Sequence, residues 1–203
     1  MRGAVLAGGA ASRFDGRPKG LQEIGGRRVL DRVVDTMCAA LGSPPLLVAN
    51  ASDAPTWRPD LRCVPDLRPG LGSLGGVYTA IASGVGPVLV VAWDMPFLER
   101  TLLETLIAAA GEHDAFLPES GVPGHGSGAL EPLCAVYGPG CLAPIERALA
   151  RWDLRMISFH DSVRLGTLSL DRVRAIGDPA VLFFNVNDPA DLERAERLWR
   201  QRG

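Results

Sequence analysis

The run Leu6-Ala7-Gly8-Gly9-Ala10-Ala11-Ser12-Arg13, with Lys19 a short way beyond it, carries the residue types that hold a phosphate chain. Adjacent glycines let backbone N–H groups come close to an anion. Ser12 adds a hydroxyl donor, and Arg13 and Lys19 add positive charge. Of the 21 basic residues, Lys19 is the only lysine. A compact ammonium meets phosphate oxygens differently from a planar guanidinium. The lysine is therefore read as functional, against the alternative that a lone lysine has to fall somewhere. The Gly-Lys-Ser/Thr of a Walker loop occurs nowhere in the chain.

A second set of polar residues follows apolar runs. Asp94 comes directly after Pro87-Val88-Leu89-Val90-Val91-Ala92-Trp93. A carboxylate at the end of a buried strand is costly without water, a partner or a cation. Carboxylate plus phosphate oxygens is the usual Mg²⁺ ligand set; a turn aspartate before Pro96 is the structural alternative. Asp66, after a shorter strand, suits a ribose, the metal or a turn. Near the end, Asn185 and Asn187 alternate along Phe184-Asn185-Val186-Asn187, where they suit a polar substrate ring or the fastening of a turn. Asp188, Pro189 and Asp191 read as N-cap, N1 and first-turn carboxylate of a helix.

These residues need elements to place them. Strand-like runs cover Gly3–Ala7, Leu46–Ala49, Leu61–Val64, Pro87–Trp93, Ala115–Leu117, Leu133–Val136 and Val181–Phe184. Helical spacing covers Arg27–Leu41, Ser73–Ser83, Glu99–Ala110, Ala143–Ala150 and Ala190–Arg202. Residues 155–177 mix both signals, and 118–130, rich in Gly and Pro, read as a long loop. Alternation of the two periods predicts an α/β fold of three layers, Rossmann-like, with a mostly parallel sheet. Ligands in such sheets bind beyond the C-terminal ends of the strands, where Gly8 and Asp94 fall. A G-x-G-x-x-G match at Gly70–Gly75 has Pro65, Asp66 and Pro69 in its approach instead of a buried strand. It is weak support for a dinucleotide, although Asp94 lies about 20 residues beyond it, where such sites place an acid.

The 203 residues predict one domain, 1–203, large enough for a core without disulfides or structural metal. A net charge of -2 gives no basic surplus for nucleic acid. Cys38, Cys63, Cys134 and Cys141 lack metal-ligand spacing and read as reduced thiols. No run is long enough to span a membrane and no signal segment is visible, so a cytoplasmic location is expected. His113, His125 and His160 read as surface residues, with His125 in the long loop held open.

Taken together, the motifs resemble the molybdenum cofactor guanylyltransferase (MobA-like) family of nucleotidyltransferases. The resemblance runs through Leu6-Ala7-Gly8-Gly9…Arg13…Lys19, Asp66…Pro69-Gly70-Leu71-Gly72-Ser73-Leu74, Asp94-Met95-Pro96, Pro132-Leu133 and Asn185-Val186-Asn187-Asp188-Pro189-Ala190-Asp191, in that order. It implies the fold of nucleotide-diphospho-sugar transferases. It also implies transfer of GMP from GTP to the terminal phosphate of molybdopterin, with release of pyrophosphate. The catalytic residues it implies are Arg13, Lys19 and Asp94, with Asp94 holding Mg²⁺. GTP would meet Leu6, Ala7, Gly8, Gly9, Ser12, Lys19, Asn50, Asp66, Leu74, Gly75 and Asp94. Asn185 and Asn187 would face the acceptor. Protein partners would be an enzyme that inserts molybdenum or an apo-enzyme that receives the product; neither nucleic acid nor membrane is implied. Pro18 before Lys19 is a pairing shared with sugar-nucleotide enzymes. It keeps CTP on molybdopterin, or a nucleotide on a sugar phosphate, as alternatives, with a dinucleotide oxidoreductase or a non-catalytic nucleotide-binding module behind them.

Overall fold

The computed structural model describes residues 1–8, 18–121 and 130–202. Its centre is a seven-stranded sheet of β1 (Arg2–Leu6), β4 (Leu46–Val48), β5 (Cys63–Val64), β6 (Val88–Ala92), β7 (Ala115–Pro118), β8 (Cys134–Tyr137) and β9 (Leu165–Leu168), ordered β5-β4-β1-β6-β8-β7-β9. The other two strands, β2 (Glu23–Ile24) and β3 (Arg27–Arg28), form a separate hairpin. β1 pairs in parallel with β4 and with β6, in register Leu6↔Val48 and Leu6↔Ala92. All five residues of β6 are buried, so this strand is apolar on both faces, as a central strand covered by helices on both sides must be.

Side-chain alternation along these strands feeds two apolar layers. Val5, Leu89 and Val91 pack on one face with α1 (Val29–Leu41) and α4 (Arg100–Ala109). Ala4, Leu6, Val88 and Val90 pack on the other with α3 (Gly72–Ala82) and α5 (Leu142–Ala150). α1 buries Val29, Leu30, Val33, Val34 and Met37 at helical spacing. It stops at Gly42, whose φ of 69° is left-handed and whose N–H returns to the Cys38 carbonyl, the usual glycine C-cap. The three-layer α/β/α arrangement expected from the periodicity is therefore present.

Three departures are instructive. The stretch expected to open α1 at Arg27 is instead the second strand of the β2–β3 hairpin. Gly25 and Gly26 turn it with φ of 57° and 71°, a geometry that glycine adopts without strain. β8 runs antiparallel to both β6 and β7. The segment after β7 has no helical period to serve as a crossover, and a parallel return needs one. The strand expected at Val181–Phe184 is corrected: residues Pro179–Leu182 form a short helix, α7. Asp178 caps it by accepting from the Ala180 N–H, and Pro179 sits in the first turn. A four-residue apolar run does not separate strand from buried helix by periodicity; this cap does.

A third, smaller apolar cluster joins Ile24 and Val29 to Phe97, Phe184, Val186 and Ala195. It fastens the hairpin to α8 (Pro189–Arg202), the last helix. Between β9 and α7 lies the short α6 (Leu170–Arg174), and α2 (Ala54–Trp57) follows β4. No helix among the described residues is long and apolar enough to cross a membrane.

Candidate functional site

The strand order reverses between β1 and β6, and the chain opens there into a cleft of about 360 Å³. This is where open α/β sheets bind ligands, and the volume is that of a small-molecule site. Leu6, Ala7 and Gly8 leave β1 along one edge, and Ala92, Trp93 and Asp94 leave β6 along another. Val48, Ala49, Asn50 and Asp66 close the side toward β4 and β5. Gly70, Gly72, Ser73 and Gly76 supply the wall toward α3, and Leu133 completes the lining.

Lys19 reaches this cleft from a short 3₁₀ turn, Lys19–Leu21, placed by two constraints. A Cβ on Gly20 would stand 2.4 Å from the Trp93 ring, so only glycine allows this approach. Trp93 in turn stacks on Trp57, with ring centroids 5.2 Å apart and planes 21° from parallel. The Lys19 ammonium pairs with Asp94 Oδ2 and donates to Asn187 Oδ1 at 3.2 Å. Asp94 is 5% exposed, and its other oxygen, Oδ1, is buried without a hydrogen-bond partner among the described residues. Its backbone carbonyl accepts from the Val186 N–H at 2.9 Å.

Asn50 and Asp66 form a reciprocal pair on the opposite side. Asn50 Nδ2 donates to Asp66 Oδ2 at 2.7 Å, and the Asp66 N–H donates to Asn50 Oδ1 at 2.8 Å. Gly76 lies beside them. A Cβ there would be 3.3 Å from Leu6 Cδ1 and 3.8 Å from Asp66 Oδ1, so its bareness keeps the floor of the cleft low. Gly70 and Gly72 adopt φ of 82° and 59° at the start of α3. The G-x-G-x-x-G stretch thus serves the same cleft as Gly8, reached through a loop after the two-residue β5 instead of a long buried strand.

Of the residues expected at the site, Leu6, Ala7, Gly8, Lys19, Asn50, Asp66 and Asp94 converge on one cleft. Leu74 is fully buried in the apolar layer under α3. Gly75 sits against Leu71 and the Arg68 carbonyl, outside the lining. Asn187 meets Lys19, whereas Asn185 Nδ2 donates to the Phe183 carbonyl at 3.0 Å and ties down the turn before α8. Gly9, Ser12 and Arg13 lie outside the described residues, as does His125. His160, expected at the surface, is 8% exposed and packs edge-on against Phe159.

Glu131 is a residue the sequence reading did not single out. It is 3% exposed, and its Oε1 accepts from the Leu133 N–H at 3.2 Å. Its Oε2 is buried without a partner among the described residues. Burial pushes its carboxyl up to about 7; the Leu133 N–H opposes that rise, and the nearby Asp94 charge adds to it. The Leu133 carbonyl accepts from the Ala92 N–H at 2.8 Å, so the turn that Glu131 braces is fastened to the end of β6 just before Asp94. The available signal was an acid between apolar residues, directly before Pro132-Leu133.

Among the described residues no group of three or more His, Cys, Asp or Glu gathers as a metal cluster. Among the described residues the cleft offers the Asp94 carboxylate with an uncommitted oxygen, one ammonium, glycine-lined backbone, the Ser73 hydroxyl and the Asn50–Asp66 amide–carboxylate pair. That inventory suits binding and charge neutralisation of a nucleoside triphosphate.

Comparisons with known proteins agree with this geometry. The family model of the MobA-like NTP transferase domain matches residues 3–163. The chain is 35% identical over 194 residues to a probable molybdenum cofactor guanylyltransferase of Pelotomaculum thermopropionicum, covering 95% of this chain and 90% of the relative. It is 33% identical over 198 residues to a molybdenum cofactor guanylyltransferase of Desulfosudis oleivorans, covering 97% and 94%. The crystal structure of molybdopterin-guanine dinucleotide biosynthesis protein A from Archaeoglobus fulgidus superposes with a TM-score of 0.82 at 25% identity, covering 99% of this chain and 100% of that one. With the family model matching residues 3–163 and these relatives identical at a third of positions over nearly the whole chain, the chain belongs to the MobA-like NTP transferase family.

Proposed function

We propose that the protein is a molybdenum cofactor guanylyltransferase, which moves GMP from GTP to the terminal phosphate of molybdopterin and releases pyrophosphate. The observation that carries this reading is the Lys19–Asp94 pair at the mouth of a cleft whose far side is the Asn50–Asp66 pair. Charge for a triphosphate stands at one end and hydrogen-bonding groups for a nucleoside at the other.

In this reading the base lies over Leu6-Ala7-Gly8, with Gly76 leaving room beneath it. Asp66, held by Asn50, accepts from the nucleoside. Lys19 neutralises phosphate oxygens, joined by Arg13 and by the backbone of Gly8 and Gly9. A terminal phosphate oxygen of molybdopterin forms a bond to the α-phosphorus. The bond from that phosphorus to the bridging α–β oxygen breaks, and pyrophosphate carries away the electron pair. The acceptor is already an anion, so the chain has no nucleophile to supply; its contribution is alignment and charge stabilisation.

A Mg²⁺ ion fits the residues present. Asp94 Oδ1 is a buried carboxylate oxygen without a partner among the described residues, and Mg²⁺ in nucleotide sites is held by one or two carboxylates plus phosphate oxygens. Asp94 would hold the ion, which when bound supplies further neutralisation of the triphosphate.

Thermal unfolding in the presence of GTP, CTP, ATP, UTP or NADH, each with and without Mg²⁺, tests the reading. A ligand at 100 times its Kd adds about 2.7 kcal/mol. The expected result is a Mg²⁺-dependent rise in Tm with GTP and little with the others. A preference for CTP moves the assignment to a cytidylyltransferase; a response to NADH alone overturns it.

A further inference from the structure

We propose that Asn187 acts on the nucleotide side of the reaction as the positioning residue of the Lys19 ammonium, and that the Asp191 carboxylate holds Asn187 in that role. The inference rests on the reading that Lys19 meets the phosphates of GTP.

An ammonium on a four-carbon stem is a mobile point charge. One carboxylate leaves it free to swing around that partner, whereas two fixed acceptors define its place. Asp94 is the first acceptor and Asn187 Oδ1, at 3.2 Å, is the second. Lysine only donates hydrogen bonds, so the Asn187 amide must turn its oxygen toward Lys19.

The backbone that carries this amide is fixed on both sides. Before it, the Val186 N–H donates to the Asp94 carbonyl at 2.9 Å, and the Val186 side chain is fully buried. At Asn187 itself the N–H donates to Asp191 Oδ2 at 3.0 Å. Asp191 is in turn locked by its own N–H, which donates to Asp188 Oδ1 at 2.9 Å. This is the reciprocal logic of a capping box, with the returning carboxylate extended by one residue onto Asn187. The hydrogen bonds at the start of α8 therefore continue directly into the position of Lys19. The far part of the same helix holds the hairpin that follows Lys19: Glu196 Oε1 accepts from the Gly25 N–H at 2.9 Å.

The test is the affinity for GTP measured calorimetrically with Mg²⁺ and without any acceptor, in Lys19→Met, Asn187→Leu, their double variant, Asp191→Ala and Asp191→Asn. Lys19→Met is expected to weaken GTP binding about tenfold or more, the scale of one charge-assisted hydrogen bond. Asn187→Leu is expected to weaken it several-fold, and the double variant to match Lys19→Met within about twofold, since residues acting through one another are not additive. Asp191→Ala should copy Asn187→Leu. Asp191→Asn keeps an acceptor oxygen and should restore most of the loss, which separates positioning from general damage to the helix.

Two results overturn the link: GTP affinity unchanged in Asn187→Leu while KM for molybdopterin rises, or a full additional loss on top of Lys19→Met. Unchanged GTP affinity in Lys19→Met itself overturns instead the phosphate role on which the link rests.

Discussion

Asn50 and Asp66 satisfy each other at both ends: the Asn50 amide donates to the Asp66 carboxylate at 2.7 Å and accepts from its backbone N–H at 2.8 Å. The amide is thereby held in place. Its second N–H, at an exposed position in the cleft lining, and the second oxygen of Asp66, beside the bare Cα of Gly76, are left to face a nucleoside. Asn50→Asp removes the donor and sets two carboxylates against each other. We expect GTP to bind that variant roughly tenfold or more weakly, on the scale of a lost hydrogen bond to a charged group. In Asp66→Asn, the further change Asn50→Asp should cost much less. Equilibrium GTP binding to the three variants checks this; equal losses in both backgrounds would show that Asn50 touches the nucleotide itself.

Gly20 sets the approach of Lys19. Its missing Cβ leaves room for the Trp93 ring, which a methyl group would meet at 2.4 Å. Trp93 is held by Trp57 and cannot yield easily. Gly20→Ala should lower stability by about 1–3 kcal/mol, the usual range for overpacking. It should also reduce kcat at temperatures where the variant is fully folded, because the turn carrying Lys19 is displaced. Urea unfolding and steady-state rates on one preparation measure both. Lost stability with an unchanged kcat would remove Gly20 from the positioning of Lys19.

Glu131 gives a pH dependence with a definite sign. The ordinary value of 4.5 is raised to about 7 in the folded protein. Between those values the native state binds more protons than the unfolded chain, so stability falls as pH rises through the window and levels above it. At 1.36 kcal/mol per pH unit the loss is on the order of 3 kcal/mol. The groups facing this carboxyl are the Leu133 N–H and the Asp94 charge. Glu131→Gln stays neutral throughout. It should match the wild type near pH 4.5 and be the more stable protein at pH 8, as read from urea midpoints across the range. Parallel pH profiles for the two proteins would contradict the assignment.

Much of the frame was legible in the sequence because burial writes a period. Val88–Ala92, apolar at every position, short and rich in valine, reads as a central strand, and the repeat Val29, Leu30, Val33, Val34, Met37 reads as one face of a helix. What was illegible was decided by residues outside each run, some adjacent and some far along the chain. The reversed direction of β8 is decided by what it pairs with, which its four residues do not encode. Pro179–Leu182 turned helical through the Asp178 cap rather than through its apolar content. At the site, residue types at strand ends located Gly8, Asp66 and Asp94, and being the single lysine of the chain located Lys19. Their bonding was hidden: nothing in the spacing of Asn50 and Asp66 announces a closed pair, and nothing in Asn187 announces Lys19. Leu74 was placed near the nucleotide by its motif, but the helix phase turns it into the core.

Guanylyl transfer at this cleft can be followed through the α-phosphate of GTP. The enzyme would be incubated with GTP labelled at the α-phosphorus, molybdopterin and Mg²⁺, with unlabelled CTP as competitor, in wild-type and Asp94→Asn protein. Label is expected to pass to molybdopterin with one pyrophosphate released per transfer, CTP to compete poorly, and Asp94→Asn, folded as judged by its Tm, to transfer almost nothing. Label that stays on the nucleotide while GTP binds, or transfer that survives in Asp94→Asn, would contradict guanylyl transfer at this cleft.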